Sequence, residues 1–236
     1  MWNNSLNLAV FNWLGQYTTA SAAFNQILHY MAGSDLVKGF PFMGVIWFFW
    51  LRENDSKLNT RRIIIATLIG CIIAAGIARG VNNLGQFQPR PIANLLLTHY
   101  DYVGLPPPES QDLYIWNSFP SDHAALFFGF ATGIFLISRI FGIYTYIYVL
   151  LFIALPRIYL GLHYTTDIIA GAILGTGLVL LCNRARFIRL YDNQFNALSR
   201  RYPAAIQAII FVSCTEICLL FYDVRLLFHG LSKYLH

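Results

Sequence analysis

Residues 156–182 have the sequence PRIYLGLHYTTDIIAGAILGTGLVLLC, in which one apolar helix ends and a second one begins. A turn is predicted at Gly161, and the segment 165–182 that follows has a single charged residue, Asp167. Crossing a bilayer takes roughly 20 predominantly apolar residues. This stretch therefore predicts two membrane-spanning helices joined by a short polar turn.

The rest of the chain is similarly apolar. Of its 236 residues, 57% are hydrophobic and 11% are charged, whereas soluble domains carry about 25% charged residues. Candidate spans occur at about 37–51, 63–82, 121–138, 143–161, 165–182 and 204–222. We therefore predict an all-α, polytopic membrane helical bundle of about six transmembrane helices.

The N-terminal region has a different pattern. Over residues 5–32, apolar side chains recur at helical spacing, and Asn, Gln, Ser and Thr fill the gaps. This pattern predicts an amphipathic helix in the membrane interface, although a helix packed under the bundle would have the same pattern. We predict an N-terminal amphipathic segment over 1–36 and a membrane domain over 37–236.

Basic residues cluster in two of the predicted connections. Segment 52–62 contains four lysines and arginines, and segment 183–202 contains five arginines. With six spans the two segments share one side of the membrane, which the positive-inside rule assigns to the cytoplasm. The loop 83–120 and the Gly161 turn then lie on the opposite side. The net charge of +5 thus reflects membrane orientation, and nucleic-acid binding is not expected.

Residues His163 and Asp167 are four apart at the start of the fifth span, so they share a helix face. A carboxylate behind an imidazole fixes its tautomer and leaves the other ring nitrogen free to attack. The same spacing suits two metal ligands, but a metal site needs more ligands than the neighbourhood offers. Arg157 precedes the Gly161 turn, so it either faces the same pocket or snorkels to the interface.

A second polar cluster, Pro120-Ser121-Asp122-His123, opens the third span. Helix starts offer unpaired backbone N–H groups to an anion, and His123 is placed to act as a general acid. Ser121 alone is equally well explained as an N-cap. Upstream, Arg90 lies between two prolines, and its rigid backbone suits a bidentate clamp on phosphate oxygens.

These motifs resemble those of the type 2 phosphatidic acid phosphatase superfamily. The pattern of that family is a lysine seven residues before an Arg-Pro pair, then Pro-Ser-Gly-His, then Arg, five residues, His, three residues and Asp. The matching positions here are Arg90-Pro91, Pro120-Ser121-x-His123, Arg157, His163 and Asp167. The resemblance covers roughly residues 60–182 and implies the same six-span helical architecture.

By this resemblance, His163 is the nucleophile that forms a phosphohistidine, Asp167 orients it, and His123 protonates the leaving group. The phosphate-binding residues implied by the matched positions are Arg90, Arg157, Ser121 and the neighbouring Asp122. The resemblance implies no metal and no cofactor.

Two positions depart from the family pattern. Asn83 stands where the family has its lysine, and Arg79, one helical turn earlier, is a candidate substitute. Asp122 replaces the glycine, and its carboxylate should repel a phosphate unless it points away or is protonated. The form Pro-Ser-Asp-His resembles the bacitracin-resistance type of undecaprenyl-diphosphate phosphatase.

Our leading prediction is an integral-membrane phosphatase that converts undecaprenyl diphosphate to undecaprenyl phosphate at the outer rim of a bacterial inner membrane. Its partners would be the lipid phosphate substrate and membrane lipids. An alternative keeps the chemistry but changes the substrate, to phosphatidate, phosphatidylglycerol phosphate or lipid A, or replaces hydrolysis by phosphotransfer. A different class is a non-catalytic lipid-binding or transport protein, which Asn83 and an intramembrane Glu216 favour.

Overall fold

The computed structural model describes residues 3–52, 57–97, 100–106 and 117–219, and every regular element in these ranges is helical. Within the described part of the connection between α5 and α6 there is one 3-10 turn, Pro91–Ala93, and a π-helical stretch, Val149–Ala154, joins α7 to α8. The α helices in chain order are α1 (Ser5–Gly15), α2 (Ala22–Gly33), α3 (Asp35–Lys38), α4 (Phe40–Leu51), α5 (Lys57–Leu84), α6 (Asp122–Ile137), α7 (Arg139–Tyr148), α8 (Leu155–Tyr159), α9 (Thr165–Cys182), α10 (Ala185–Arg201) and α11 (Pro203–Cys218).

The predicted membrane bundle is confirmed. Among the described residues, three helices are long and apolar enough to cross a membrane, namely Leu58–Leu84, Arg139–Tyr159 and Thr165–Cys182. Helices α6 and α11 are apolar but have 16 residues each, and α4 has 12. Each of the six predicted spans overlaps one of these helices, and the end of the last span, 220–222, lies outside the described residues.

Helices α5, α6 and α9 form the centre of the bundle, and small residues let α6 and α9 approach closely. A Cβ atom added at Gly175 would overlap the backbone carbonyl of Ala125, and one added at Gly171 would overlap that of Ser121. Close approach through small residues is the usual packing mode of membrane helices. As a consequence, the Ser121 N–H at the start of α6 donates to the Asp167 backbone carbonyl of α9 at 3.1 Å.

The fourth span contains its π-helical stretch just before Pro156, a residue that has no N–H for the helical hydrogen-bond ladder. The span ends at Tyr159, and Gly161 follows with a φ of +65°, a left-handed conformation that glycine adopts without a steric penalty. The Leu162 N–H then donates to the Arg157 carbonyl at 2.9 Å and closes the turn. Arg157 therefore lies in the last helical turn before His163.

The N-terminal region differs from the single helix predicted over 5–32, because α1 and α2 are separate. The break is stabilised by local hydrogen bonds from hydroxyl side chains, which compete with helical ones. The Thr18 hydroxyl donates to the Gly15 carbonyl at 2.9 Å, and the Ser21 hydroxyl caps α2 by accepting from the Phe24 N–H. Apolar periodicity continues across the break, so it did not reveal the two helices.

Helix α1 contacts the start of α9 through a reciprocal pair of hydrogen bonds. The Asn7 amide donates to the Thr166 hydroxyl at 2.9 Å, and the Thr166 N–H donates to the Asn7 side-chain oxygen at 3.1 Å. Asn7 is buried by this contact. The N-terminal segment therefore packs directly beside Asp167, and its location in the membrane interface stays a prediction.

At the opposite end of the bundle, α10 lies against the start of α5. Arg62 donates from Nε and Nη2 to the two carboxylate oxygens of Asp192 at 2.7 and 2.6 Å. None of the α10 residues is fully buried. Arg62 and Asp192, one from each basic connection, therefore meet at the end of the molecule away from the Gly161 turn.

Candidate active site

His163 lies in the turn between the fourth span and α9, with its side chain 4% exposed. Its Nδ1 atom is 2.8 Å from the backbone carbonyl oxygen of Ser118 and 3.8 Å from Asp167 Oδ2. Because a carbonyl only accepts hydrogen bonds, Nδ1 carries the proton and Nε2 retains its lone pair. The direct partner that selects this tautomer is thus the Ser118 carbonyl, whereas the sequence pointed to the Asp167 carboxylate.

Asp167 is fully buried and accepts hydrogen bonds from three neighbours in the described structure. The Gln88 side chain donates to Oδ1 at 3.1 Å, the Tyr164 N–H donates to Oδ2 at 2.8 Å, and the Ser118 hydroxyl donates to Oδ2. These contacts meet the hydrogen-bonding capacity of a buried carboxylate. Asp167 therefore holds in place the same Ser118 whose carbonyl orients His163.

His123 is the second residue of α6 and is held by its own neighbour. The Asp122 Oδ1 atom lies 2.8 Å from His123 Nδ1, and Asp122 Oδ2 lies 2.7 Å from Arg79 Nη2. Both carboxylate oxygens are engaged in this way, so the carboxylate faces Arg79 and the imidazole. The structure thus contains a second histidine whose Nδ1 is fixed and whose Nε2 remains available.

Ser121 caps α6 with the oxygen of its hydroxyl. Its Oγ atom accepts from the Ala124 N–H at 3.3 Å, its side chain is fully buried, and its own N–H is bonded to the Asp167 backbone carbonyl. This geometry matches the N-cap alternative. The N–H and the hydroxyl oxygen of Ser121 are therefore engaged by protein partners, whereas the cap does not use the hydroxyl proton.

Arg157 is 3% exposed and donates to two backbone carbonyls, that of Ile153 at 3.2 Å and that of Ala32 at 3.4 Å. Its charge interacts with those of Asp122 and Arg90. The Arg90 charge acts in turn on Asp122, Asp167 and His163. The three separated polar stretches of the sequence therefore come together at one end of the bundle.

The surroundings of His163 favour its neutral form. Burial lowers the pKa of its imidazole below the ordinary value of 6.5, and the Arg90 guanidinium lowers it further, while the Asp167 carboxylate opposes the shift. A neutral imidazole with its proton on Nδ1 can attack through Nε2.

Several residues of this site escaped the sequence reasoning. Ser118 and Gln88 bind Asp167, and the buried Lys38 of α3 interacts with Arg157 and Asp122. Neither Ser118 nor Gln88 belongs to a motif with a defined spacing, and Lys38 lies far from the site motifs in the sequence. Within the described ranges, no group of three or more His, Cys, Asp or Glu side chains is placed to hold a metal ion.

The family model of the PAP2 superfamily matches residues 64–191, which is more than half of the chain and includes all seven predicted site residues. The chain belongs to the PAP2 superfamily. A relative, the bacitracin transport permease protein BcrC of Bacillus licheniformis, is 26% identical over 172 residues, or 73% of this chain and 76% of the relative. No solved structure matches the chain. Because PAP2 members are phosphatases, and this one is an apolar helical bundle, it is a membrane lipid phosphatase.

Proposed function

We propose that this PAP2 protein removes the terminal phosphate of a polyprenyl diphosphate, specifically undecaprenyl diphosphate, by nucleophilic attack from His163. The observation that carries the proposal is the 2.8 Å contact between His163 Nδ1 and the Ser118 carbonyl. It leaves Nε2 as an unprotonated nucleophile in a buried site beside Arg90 and Arg157. Covalent catalysis by histidine needs this combination of tautomer and neighbouring cations.

In the first step, the Nε2 lone pair of His163 forms a bond to the terminal phosphorus. The bond between that phosphorus and the bridging oxygen breaks, and protonated His123 gives its Nε2 proton to this oxygen. The Asp122 carboxylate, 2.8 Å from His123 Nδ1, stabilises the imidazolium that makes the donation. The guanidinium groups of Arg90 and Arg157 balance the negative charge on the transferring phosphoryl group.

In the second step, water hydrolyses the phosphohistidine. His123 accepts a proton from the water, the water oxygen bonds to phosphorus, and the bond between phosphorus and His163 Nε2 breaks. Inorganic phosphate leaves and both histidines return to their starting states. No step of this sequence uses a metal ion, so activity is expected to survive a chelator.

The geometry changes the roles proposed for two residues that the sequence placed among the phosphate ligands. Asp122 engages Arg79 and His123 with its two oxygens, so we propose that it positions and charges His123. Ser121 is engaged as the cap of α6, so we propose that its main role is structural. Of the four residues predicted to bind phosphate, Arg90 and Arg157 keep that role.

Two features support a polyprenyl diphosphate at an outward-facing site. The Pro-Ser-Asp-His sequence and the relative named for bacitracin transport agree in pointing to bacitracin-related proteins. The pair Arg62 and Asp192, from the two basic connections, lies at the end of the bundle away from His163, and by the positive-inside rule this supports a site on the outer face of a bacterial inner membrane. Phosphatidate and phosphatidylglycerol phosphate are the competing substrates.

The purified protein in detergent should release phosphate from undecaprenyl diphosphate, and His163→Ala should abolish the release. His29→Ala is the matched control, because His29 is an exposed histidine on α2. Assays in the presence of a chelator test metal independence. Parallel assays with phosphatidate and phosphatidylglycerol phosphate test which lipid is the preferred substrate. Equal release by wild type and His163→Ala would contradict the assigned nucleophile.

A second candidate is lipid transport without hydrolysis. It is favoured by the word permease in the name of the relative and by Glu216 of α11, whose buried Oε2 atom has no hydrogen-bond partner among the described residues. Buried carboxylates in membrane helices often mark transport pathways. Lipid binding without phosphate release from any of the tested lipids would support this candidate over the phosphatase.

A further inference from the structure

Lys38 is a buried cation in a chain that has few charges. Its side chain is 8% exposed, and its ion pair in the described structure is with Asp35, one turn earlier in α3, at 2.9 Å. The Asp35 side chain is 42% exposed. An exposed pair would avoid the cost of removing an ammonium group from water. The burial of Lys38 therefore requires an explanation other than its bond to Asp35.

The backbone around Lys38 is anchored to the fourth span. The Val37 carbonyl accepts a hydrogen bond from the Tyr148 hydroxyl at 2.6 Å, and the Ala32 carbonyl accepts from the Arg157 guanidinium at 3.4 Å. These two contacts hold the joint between α2 and α4 against the helix that carries Arg157. The position of Lys38 is therefore defined by the bundle and not by a loose terminus.

The charge of Lys38 acts on the groups of the site. It interacts with Arg157, Asp122 and His123. Asp122 is already engaged by Arg79 and His123, so it does not neutralise both Lys38 and Arg157. Two buried cations that repel each other are stabilised when an anion binds between them. An anion bound near Lys38 and Arg157 would offset this repulsion.

We propose that Lys38 binds the phosphate of the substrate together with Arg90 and Arg157, as the cation that the sequence lacks at position 83. Asn83 itself is exposed at the end of α5. The proposal rests on the proposed function for the identity of the anion. It makes α3, and with it the N-terminal segment, part of the active site.

The competing explanation is structural, with Lys38 present only to pair with Asp35. The two explanations predict different effects on anion binding when Lys38 is replaced and when Asp35 is replaced. Lys38→Met removes the ammonium, Lys38→Arg keeps a cation, and Asp35→Asn breaks the pair but leaves the ammonium in place. Orthovanadate is the probe, because it mimics the five-coordinate phosphorus of the attack.

For Lys38→Met, we expect the vanadate inhibition constant and KM for the lipid to rise by at least about tenfold, because charge-assisted hydrogen bonds are the strong ones. Lys38→Arg should recover much of this loss. Asp35→Asn should leave vanadate inhibition unchanged or make it stronger, since it frees the ammonium for the anion. Equal effects of Lys38→Met and Asp35→Asn, or no effect of Lys38→Met, would overturn the proposal.

A thermal melt with and without vanadate separates this proposal from the proposed function. If the wild type releases no phosphate but is stabilised by vanadate, the phosphatase proposal fails. Loss of that stabilisation in Lys38→Met, with retention in Asp35→Asn, would still support Lys38 as an anion ligand. If Lys38→Met does not yield a folded protein, Lys38→Gln carries the same comparison.

Discussion

Each of the two site histidines is held at Nδ1 by an oxygen, and the two oxygens differ in charge. The acceptor of His163 is a neutral backbone carbonyl, whereas that of His123 is the Asp122 carboxylate. A carbonyl in a buried setting favours a neutral imidazole, and a carboxylate stabilises an imidazolium. His163 is thereby suited to attack, whereas Asp122 gives His123 a negative partner for the positive charge that it carries when it holds the proton for the leaving group.

Asp122→Gly restores the family glycine, but we expect it to impair catalysis because His123 loses its charged partner. General acid catalysis contributes about 100-fold or more, so kcat should fall by about that factor. The loss should be much smaller with p-nitrophenyl phosphate, whose leaving group needs no proton. Asp122→Asn keeps a hydrogen-bond acceptor but removes the charge, so its kcat should lie between those of the wild type and of Asp122→Gly.

The control for this comparison is Asp101→Gly, which removes an exposed carboxylate from the loop after the site arginine. It should leave kcat unchanged for both substrates. An equal loss for the lipid and for p-nitrophenyl phosphate in Asp122→Gly would contradict the acid role of His123.

The pH profile should report the lowered pKa of His163. Only the neutral imidazole attacks, so kcat/KM should persist below pH 6.5 and fall as the pH drops through the lowered value. Arg90→Gln removes a cation that lowers this pKa, so the acid limb should move to higher pH. Asp167→Asn removes a carboxylate that raises it, so the limb should move to lower pH.

The same shift affects stability, since below pH 6.5 the unfolded chain binds a proton at His163 that the folded chain does not yet bind. The free energy of unfolding should therefore decrease as the pH falls from 6.5 towards the folded pKa. Kinetics and thermal melts in detergent across this pH range check both effects. An acid limb above 6.5, or shifts of Arg90→Gln and Asp167→Asn in the same direction, would contradict the assignment.

At the scale of helices, apolar runs predicted the positions of the spans, because a bilayer crossing needs length and apolarity, which are local properties. The break between α1 and α2 depends on Thr18 and Ser21 bonding to nearby backbone, which the apolar period does not show. The contact of Ser118 with Asp167 brings the residues just before α6 against α9. The spacing of residues within the sequence motifs does not predict this tertiary contact.

The contact between α6 and α9 offers a paired prediction at this scale. A Cβ at Gly175 would overlap the Ala125 carbonyl, whereas a Cβ at Gly177 has no atom within 4 Å. Gly175→Ala should therefore separate the helices and reduce the stability by about 1–3 kcal/mol or more. Gly177→Ala should leave the stability unchanged or raise it, because alanine is the better helix former.

Separation of α6 from α9 also moves Ser121 away from the Asp167 carbonyl, so Gly175→Ala should lose phosphatase activity as well as stability. Thermal melting in detergent and phosphate release, measured for the two variants side by side, test this coupling. Similar melting temperatures for Gly175→Ala and Gly177→Ala would show that the close contact is not required.

At the scale of the whole molecule, the Arg62–Asp192 contact of the basic connections and the candidate site lie at opposite ends of the bundle. Asn94 donates to the Tyr164 hydroxyl at 2.9 Å and Tyr102 donates to the Tyr159 carbonyl at 2.7 Å, so the loop after Arg90 lies at the site end. Arg62 and Asp192 mark the basic end. The charge count predicted this polarity from the sequence, but the contribution of the N-terminal helices to the site end was visible only in the fold.

This polarity predicts how the chain is oriented in its membrane. All four cysteines are buried, so a cysteine introduced at an exposed position supplies the reactive thiol for a membrane-impermeant maleimide. Asp101→Cys is exposed at the site end and Arg186→Cys is exposed on α10. In spheroplasts, Asp101→Cys should be labelled directly, and Arg186→Cys only after permeabilisation, since lysine and arginine clusters remain in the cytoplasm. Unmodified protein should remain unlabelled. Direct labelling of Arg186→Cys with protection of Asp101→Cys would instead put the candidate site on the cytoplasmic face, where a lipid diphosphate in the outer leaflet would not reach it.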